Sequence, residues 1–267
     1  MTLIVTALAD DAVVQVSDRR LSLGANPLAR PENKAICVSC ADANFTIAFT
    51  GLAKVGGEST AEWVVNQLGA INATTLTFPE IAEKLRQTVT VTFEAIQPRG
   101  TPYGLTFVFA GFGPPGPFAA TVSNVEDGKT LFPTPRREFV SYLFLRNRKR
   151  MRKLDLIFNG REDALDDTIG KIIERVRRHF LRRSPDERAR ILVDLIRRAA
   201  DHPTVGKYIG KDCTTVIVRP LENFVSCYHS VKGDPVEYAP NLVSGGMLFT
   251  RVSYSLPPGW TLQLGGR

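Results

Sequence analysis

Three polar residues in the first 34 positions have side-chain types that could form a nucleophilic site. Asp18 lies sixteen residues after Thr2, and Lys34 lies thirty-two residues after it. A threonine hydroxyl is a weak nucleophile unless a base lies beside it. If Met1 is removed, Thr2 carries that base itself, because the pKa of an α-amino group is about 7.7–8.0 in peptides, close to working pH. The pattern therefore predicts a nucleophile that supplies its own base.

Charges near such an amine decide how much of it is available to accept a proton. A Lys34 ammonium close to Thr2 would lower the pKa of the amine and favour its neutral form. Asp18 would keep Lys34 charged and hold it in place. Each residue alone has an ordinary interpretation, since Ser-Asp-Arg and Asn-Lys are usually solvated turns. The combination, at these spacings, is what indicates a catalytic site.

Strands at the start of the chain would bring these three residues to one place. Leu3–Leu8 and Ala12–Val16 are apolar runs joined by a short acidic turn, so they predict a hairpin. Thr2 would begin its first strand, Asp18 would end its second strand, and Lys34 would begin the next strand. Because hairpin strands are antiparallel, their open ends meet at one edge of the sheet. We expect Lys34 to be exposed at this edge.

The spacing of Thr2, Asp18 and Lys34 resembles that of the proteasome β-subunit family of N-terminal-nucleophile (Ntn) hydrolases. In that family the mature chain begins with a threonine, and an aspartate follows sixteen residues later, usually before an arginine, as in Asp18-Arg19. A lysine follows after thirty-two residues, at the start of a strand. The resemblance covers residues 2–68, and beyond them only the order of the elements agrees. It implies that Thr2, Asp18 and Lys34 are catalytic.

The resemblance also implies a fourth catalytic residue and several supporting ones. Thr50-Gly51-Leu52-Ala53 is similar to the family's turn whose glycine N–H stabilises the oxyanion, a donor that contributes about 2.7–4 kcal/mol. Asn159-Gly160 stands where the family often has Ser-Gly, so the Asn159 amide would hydrogen-bond the Thr2 amine without relaying a hydroxyl proton. The family's Asp-x-x-Ser-Gly signature has partial matches at 201–204 and 212–215, and the second is preferred because it adjoins a strand directly. The catalytic residue added is Gly51, and the supporting residues are Arg19, Asn159, Asp212 and Thr215.

Runs of strands and runs of helices are segregated along the chain, which favours an α+β fold over alternating βαβ units. Strands are predicted at Leu3–Leu8, Ala12–Val16, Ala35–Cys40, Phe45–Thr50, Leu105–Gly111, Pro117–Ser123, Leu154–Phe158, Thr214–Val218, Phe224–Tyr228 and Met247–Tyr254. Helices are predicted at Ser59–Leu68, Phe78–Phe93, Arg161–Arg183 and Pro185–Ala200. This order, with the resemblance, implies a four-layer αββα sandwich of two stacked, mainly antiparallel sheets flanked by helix pairs. We expect one Ntn-hydrolase domain over residues 1–267, with an irregular C-terminal extension from about residue 240.

Cysteines and histidines do not form a recognisable metal or redox site. Cys37 and Cys40 form a CxxC pair, but they lie in a predicted strand, where an offset of three places the side chains on opposite faces. No second ligand pair or nearby histidine completes a zinc site. Four scattered cysteines are also too few for a disulfide framework. We therefore expect no metal and no cofactor.

Net charge and apolar content limit the classes of partner that we expect for the chain. The net charge of +7 favours acidic partners only mildly. Six of the eight residues at 146–153 are basic, which suggests nucleic-acid phosphates, a solvated loop or an interface with an acidic partner. We favour the solvated loop, because no aromatic residues interleave to stack on bases. No run reaches the roughly 18–20 apolar residues of a membrane helix, and the N-terminus lacks a signal peptide's basic region, so we expect a cytoplasmic protein without membrane partners.

Two functions remain open at the level of sequence. The first is an amide-bond hydrolase, either a peptidase or a small-molecule amidase, that uses Thr2 after removal of Met1. The alternative is a catalytically inactive, proteasome-like structural or binding protein that keeps the fold without turnover. The expected partners are a peptide or amide substrate and further copies of the chain, assembled as a dimer or a ring.

Overall fold

The computed structural model of the chain describes residues 2–20, 22–23, 26–27, 34–97, 99–100, 102–128, 130–145, 155–160, 170, 173–174, 180–204, 206–220, 224–232, 236–237, 241–244 and 247–249. The strands delimited in these ranges are β1 (Leu3–Leu8), β2 (Val13–Asp18), β3 (Ser22–Leu23), β4 (Asn26–Pro27), β5 (Ile36–Ser39), β6 (Asn44–Gly51), β7 (Lys54–Val55), β8 (Glu58–Ser59), β9 (Leu105–Gly113), β10 (Gly116–Ser123), β11 (Val140–Leu145), β12 (Asp155–Gly160), β13 (Cys213–Val218), β14 (Val225–His229), β15 (Val236–Glu237), β16 (Asn241–Ser244) and β17 (Met247–Phe249). The α-helices delimited in them are α1 (Thr60–Ala70), α2 (Phe78–Ile96) and α3 (Pro185–Ala199).

Two large sheets carry most of the strands. The first has six strands in the order β12-β1-β2-β13-β14-β15, and the second has seven in the order β11-β10-β9-β6-β5-β16-β17. Neighbouring strands are antiparallel, except that β16 runs parallel to β5. In the six-stranded sheet β1 is the second strand, with the edge strand β12 on one side and β2 on the other. The predicted N-terminal hairpin is therefore present.

The two sheets face each other through their inner surfaces. β1 is buried along its whole length, as expected for a strand covered on both faces. Its residues Leu3 and Val5 pack in the core beneath α3. Ile4 points the other way, because successive side chains alternate, and it packs against Ala48 and Val108 of the seven-stranded sheet. Polar groups on the inner face of β1 thus lie between the sheets.

Helices cover the outer faces and are well capped. Side chains of Ser59 and Ser184 accept hydrogen bonds at the starts of α1 and α3, each in a reciprocal pair with a glutamate three residues later. Such capping boxes satisfy backbone N–H groups that the helix leaves unpaired. α1 and α2 pack on the seven-stranded sheet, and α3 packs on the six-stranded sheet through residues such as Leu192 and Ile196.

The expected four-layer sandwich with a helix pair on each outer face was wrong. The fold is a sheet-rich α+β fold: within the described ranges, three delimited helices accompany sheets of six and seven mostly antiparallel strands. α1 and α2 form a pair on one sheet, whereas α3 is the delimited helix on the other. Sequence patterns underestimated the strands because β3, β4, β7, β8, β15 and β16, which were not predicted, have only two to four residues each. Runs that short show no readable alternation.

Parts of the sequence-based prediction lie outside the described residues. The helix predicted at 161–183 is described only at residues 170, 173–174 and 180, which are helical, and the basic segment 146–153 is not described. β11 falls in a stretch predicted to be irregular, and β16 joins the start of the predicted C-terminal extension to the larger sheet. The single-domain division stays a prediction. Among the helices the structure describes, none is long and apolar enough to cross a membrane.

The CxxC pair is split between two environments. Cys37 lies between the sheets with Ala110 and Ala119, whereas Cys40 packs against the core that α1 and α2 cover. Burial raises the pKa of the Cys37 thiol far above its usual range, and it raises the pKa of Cys40 to about 11. Both thiols are therefore protonated at neutral pH, and a thiol is a poor nucleophile and metal ligand compared with a thiolate.

Candidate active site

Thr2, Asp18 and Lys34 meet at the edge of the space between the sheets. Thr2 lies just before β1 and is 3% exposed, and Asp18 ends the adjacent strand β2. Lys34 comes from the other sheet, two residues before β5, and its Nζ donates a hydrogen bond to Thr2 Oγ1. The expectation that Lys34 is exposed was wrong: its side chain is 1% exposed, because it bridges two sheets rather than ending a free edge.

The hydrogen bonds of Lys34 favour its charged form. Besides Thr2 Oγ1, its Nζ donates to Asp18 Oδ1 at 3.3 Å and to the carbonyl oxygen of Arg20 at 2.6 Å. Within the described residues these three acceptors match the three N–H groups of an ammonium, whereas a neutral amine has only two. Lys34 is arranged as a charged donor to Thr2 Oγ1. An ammonium in this role cannot take the hydroxyl proton, so the base has to be another group.

The Asp18 carboxylate is held by the backbone of its own hairpin. Its Oδ2 accepts a hydrogen bond from Leu3 N at 2.9 Å, and its Oδ1 accepts one from Arg20 N at 2.8 Å. The ion pair with Lys34 is buried on both sides, since Asp18 is 0% exposed. A buried carboxylate is tolerated when it is paired and its oxygens are satisfied. Asp18 therefore orients Lys34 and balances its charge.

Thr50 contacts the backbone of Thr2, which the sequence did not predict. Its Oγ1 accepts a hydrogen bond from Thr2 N at 3.1 Å and donates one to Thr2 O at 3.2 Å. The predicted partner of this nitrogen was Asn159, but the Asn159 amide donates instead to Glu126 Oε1 at 3.0 Å. Asn159 was assigned because it occupies the position of a serine in the proteasome β-subunit family. The sequence did contain one indication of the role of Thr50, which directly precedes Gly51 in the turn already identified.

Two glycines near Thr2 occupy backbone positions where no side chain fits. Gly160 has φ +98°, and a Cβ there would lie 1.9 Å from the carbonyl oxygen of Thr2. Gly51 has φ +111°, and a Cβ there would lie 2.1 Å from Gly104 O. Side chains are excluded at both positions by contact with backbone and by the left-handed conformation. The backbone of Gly51, which directly follows Thr50, is therefore held in a conformation that favours glycine.

The other supporting residues make their contacts on the far side of β2. The Arg19 guanidinium lies 4.5 Å from the centre of the Tyr228 ring. Asp212 Oδ1 accepts from Val231 N at 2.9 Å, and Thr215 Oγ1 lies 3.2 Å from His229 Nε2. Contacts with β14 and the residues after it therefore account for these three side chains. Asp212 also has a link to the site, since its carbonyl oxygen accepts from Arg19 N at 2.9 Å.

Comparison with solved structures finds a similar fold in Anbu. A Gly-1 mutant of Anbu from Hyphomicrobium sp. strain MC1 matches with a TM-score of 0.55 and 14% sequence identity, over 88% of this chain and 90% of that chain. No protein-family model matches the sequence, and no curated protein matches it. At this identity the likeness shows the fold alone.

The comparison corrects the family suggested by the sequence. One of the solved structures that this chain resembles is that of Anbu, a relative of the proteasome β-subunit family rather than a β-subunit, so the assignment to the β-subunit kind was wrong. The spacing of Thr2, Asp18 and Lys34 follows from the placement of β1, β2 and β5 along the chain. The sequence already differed from the β-subunit motifs at Asn159, where the family often has a serine, and at Asp212–Thr215, which matches the Asp-x-x-Ser-Gly signature only in part. The chain has an Anbu-like fold.

Proposed function

We propose that this chain is an amide-bond hydrolase, a peptidase or small-molecule amidase, that uses Thr2 as its N-terminal nucleophile once Met1 is removed. The observation that carries the proposal is the buried Lys34 ammonium, which donates to both Thr2 Oγ1 and Asp18 Oδ1. A buried ion pair is expensive to build, and stability alone is a weak reason for one. Placing its charge on a threonine hydroxyl has a clear chemical use, because the ammonium stabilises the alkoxide that forms there.

The reaction follows from the groups in place. Removal of Met1, which lies outside the described residues, would turn Thr2 N into an amine held by Thr50 Oγ1. This amine takes the proton of Thr2 Oγ1, while Lys34 stabilises the oxygen as it attacks the substrate carbonyl. The Gly51 N–H is the proposed donor to the tetrahedral oxyanion. As the C–N bond breaks, the Thr2 ammonium returns the proton to the leaving amine, and an acyl ester remains on Oγ1.

In the second half of the reaction, water hydrolyses the ester. The Thr2 amine, neutral again, takes a proton from water, and the resulting hydroxide attacks the ester carbonyl. The ester C–O bond breaks, the acid leaves, and the proton returns to Thr2 Oγ1. The Anbu-like fold supports a hydrolase of this general class. The homo-oligomeric state and the cytoplasmic location stay predictions.

Covalent trapping tests the proposal without a known substrate. The purified chain is incubated with a β-lactone, and the adduct is located by peptide mapping, with intact mass recording whether Met1 is absent. We expect one acyl adduct on Thr2 and none on a Thr2→Ala variant. A chain that lacks Met1 and takes no label, or takes it elsewhere, would refute the assignment and favour the inactive binding protein.

A further inference from the structure

A cavity of about 340 Å³ opens between the edge strands of the two sheets. β12 borders it at the edge of the six-stranded sheet, and β11 borders it at the edge of the seven-stranded sheet. Its walls are largely apolar and include Val108, Phe144 and Phe158, with Tyr142 on one side. Such a cavity suits a small apolar group.

Among the polar side chains that line the cavity, Thr130 is exposed, whereas Thr121, Glu126 and Asn159 are buried. Asn159 and Thr121 are 3% and 7% exposed, and both line the cavity. Neither Asn159 Oδ1 nor Thr121 Oγ1 has a hydrogen-bond partner in the part of the chain that the structure describes. Glu126 also lines the cavity and accepts from Asn159 Nδ2 through Oε1. Buried polar atoms without partners are uncommon, and each calls for an explanation.

The three groups together define the chemistry of a ligand. A carboxylate and an amide oxygen accept hydrogen bonds, and a hydroxyl can accept as well as donate. The cavity therefore has a surplus of acceptors and one acidic group. A primary ammonium or a guanidinium offers several N–H donors and a positive charge, so it would satisfy these atoms and pair with Glu126. The apolar walls would hold the stem that carries it.

The cavity lies close to the candidate nucleophile. Gly160, next to Asn159, is the residue whose backbone closes on Thr2 O. In the register of β1 and β12, Ile4 is opposite Asn159 and Leu3 is opposite Gly160. Asn159 and Gly160 thus lie beside the first residues of β1, directly after Thr2. A group held in the cavity would therefore lie near the end of β1 that follows Thr2.

We propose that this cavity binds an ammonium or guanidinium group on an apolar stem, through Glu126, Asn159 and Thr121, and that it selects substrates with a basic side chain next to the scissile amide. The second part rests on the proposed amide hydrolysis, whereas the first part does not.

Binding is tested with a matched pair of small probes. Benzylamine and benzyl alcohol have the same stem and differ in the cationic head, and their affinities are measured by calorimetry on the intact chain. We expect benzylamine to bind at least tenfold more tightly than benzyl alcohol, and Glu126→Gln to remove that difference. Thr121→Val keeps the shape and should weaken benzylamine several-fold. Glu94→Gln, which neutralises an exposed carboxylate of α2, should change nothing.

Selectivity is tested with two fluorogenic peptides that differ only in lysine or norleucine before the scissile bond. We expect kcat/KM at least tenfold higher for the lysine peptide, and a ratio near one for Glu126→Gln. Equal affinities for benzylamine and its alcohol, or equal turnover of both peptides, would overturn the proposal. Benzylamine binding without turnover of either peptide would instead sink the amidase and leave the ligand class supported.

Discussion

Removing the charge of Lys34 should destabilise the protein far more than removing a surface charge. In Lys34→Met the alkyl stem survives, but Asp18 loses its counter-ion while it is 0% exposed. Thr2 Oγ1 and Arg20 O each lose a donor as well. Breaking a buried pair by removing one partner costs about 3–5 kcal/mol. Two backbone N–H groups still bind the Asp18 carboxylate, which is why the expected loss stays within that range.

Urea unfolding, followed by circular dichroism, measures this loss directly. The matched control is Arg183→Met, since Arg183 pairs with Glu187 at 3.1 Å on the surface, where the two side chains are 55% and 47% exposed. Exposed pairs of this kind contribute about 0.2–1 kcal/mol. Below its unfolding transition, Lys34→Met should also lose about 10²–10³-fold in amide turnover, as expected when a donor to a developing negative charge is removed. If Lys34→Met unfolds at the same urea concentration as Arg183→Met, the buried pair of Lys34 and Asp18 does not contribute the expected stability of about 3–5 kcal/mol.

Three further outcomes are expected. Thr2→Ser keeps the hydroxyl and the amine and loses only the methyl group that restricts χ1, so turnover should persist at a reduced level while Thr2→Ala has none; equal activity of the two would exclude Thr2 as nucleophile. Thr50→Val removes the hydroxyl that holds Thr2 N, so kcat should fall about tenfold or more with KM nearly unchanged; a change confined to KM would show that Thr50 does not position the amine. Burial raises the pKa of Glu126 above its usual 4.5, against the opposing Asn159 hydrogen bond. The folded state then binds more protons than the unfolded state just above pH 4.5, and stability falls as pH rises through the raised pKa. Glu126→Gln should therefore melt at a higher temperature than the parent at neutral pH and not at pH 4, and a constant difference would contradict the shift.

The sequence determined the features that depend on neighbours along the chain. The N-terminal hairpin, the helix starts at Ser59 and Ser184, and the positions of Thr2 and Asp18 at the open ends of β1 and β2 all follow from local patterns. Alternation and capping involve residues a few positions apart, so they leave a readable period or motif. The spacing of Lys34 from Thr2 was informative for a related reason, since only residues 19–35 separate β2 from β5.

Tertiary structure alone decided which side chains meet across the sheets. Lys34 was expected at an exposed edge, but the facing of the two sheets buries it between Thr2 and Asp18. Thr50 reaches Thr2, and Asn159 turns to Glu126, because β6, β12 and the turn after β10 converge from distant parts of the chain. Such contacts depend on sheet order and on the packing of one sheet against the other. Neither leaves a periodic signal in the sequence, because the residues concerned are separated by dozens of positions and share no local motif.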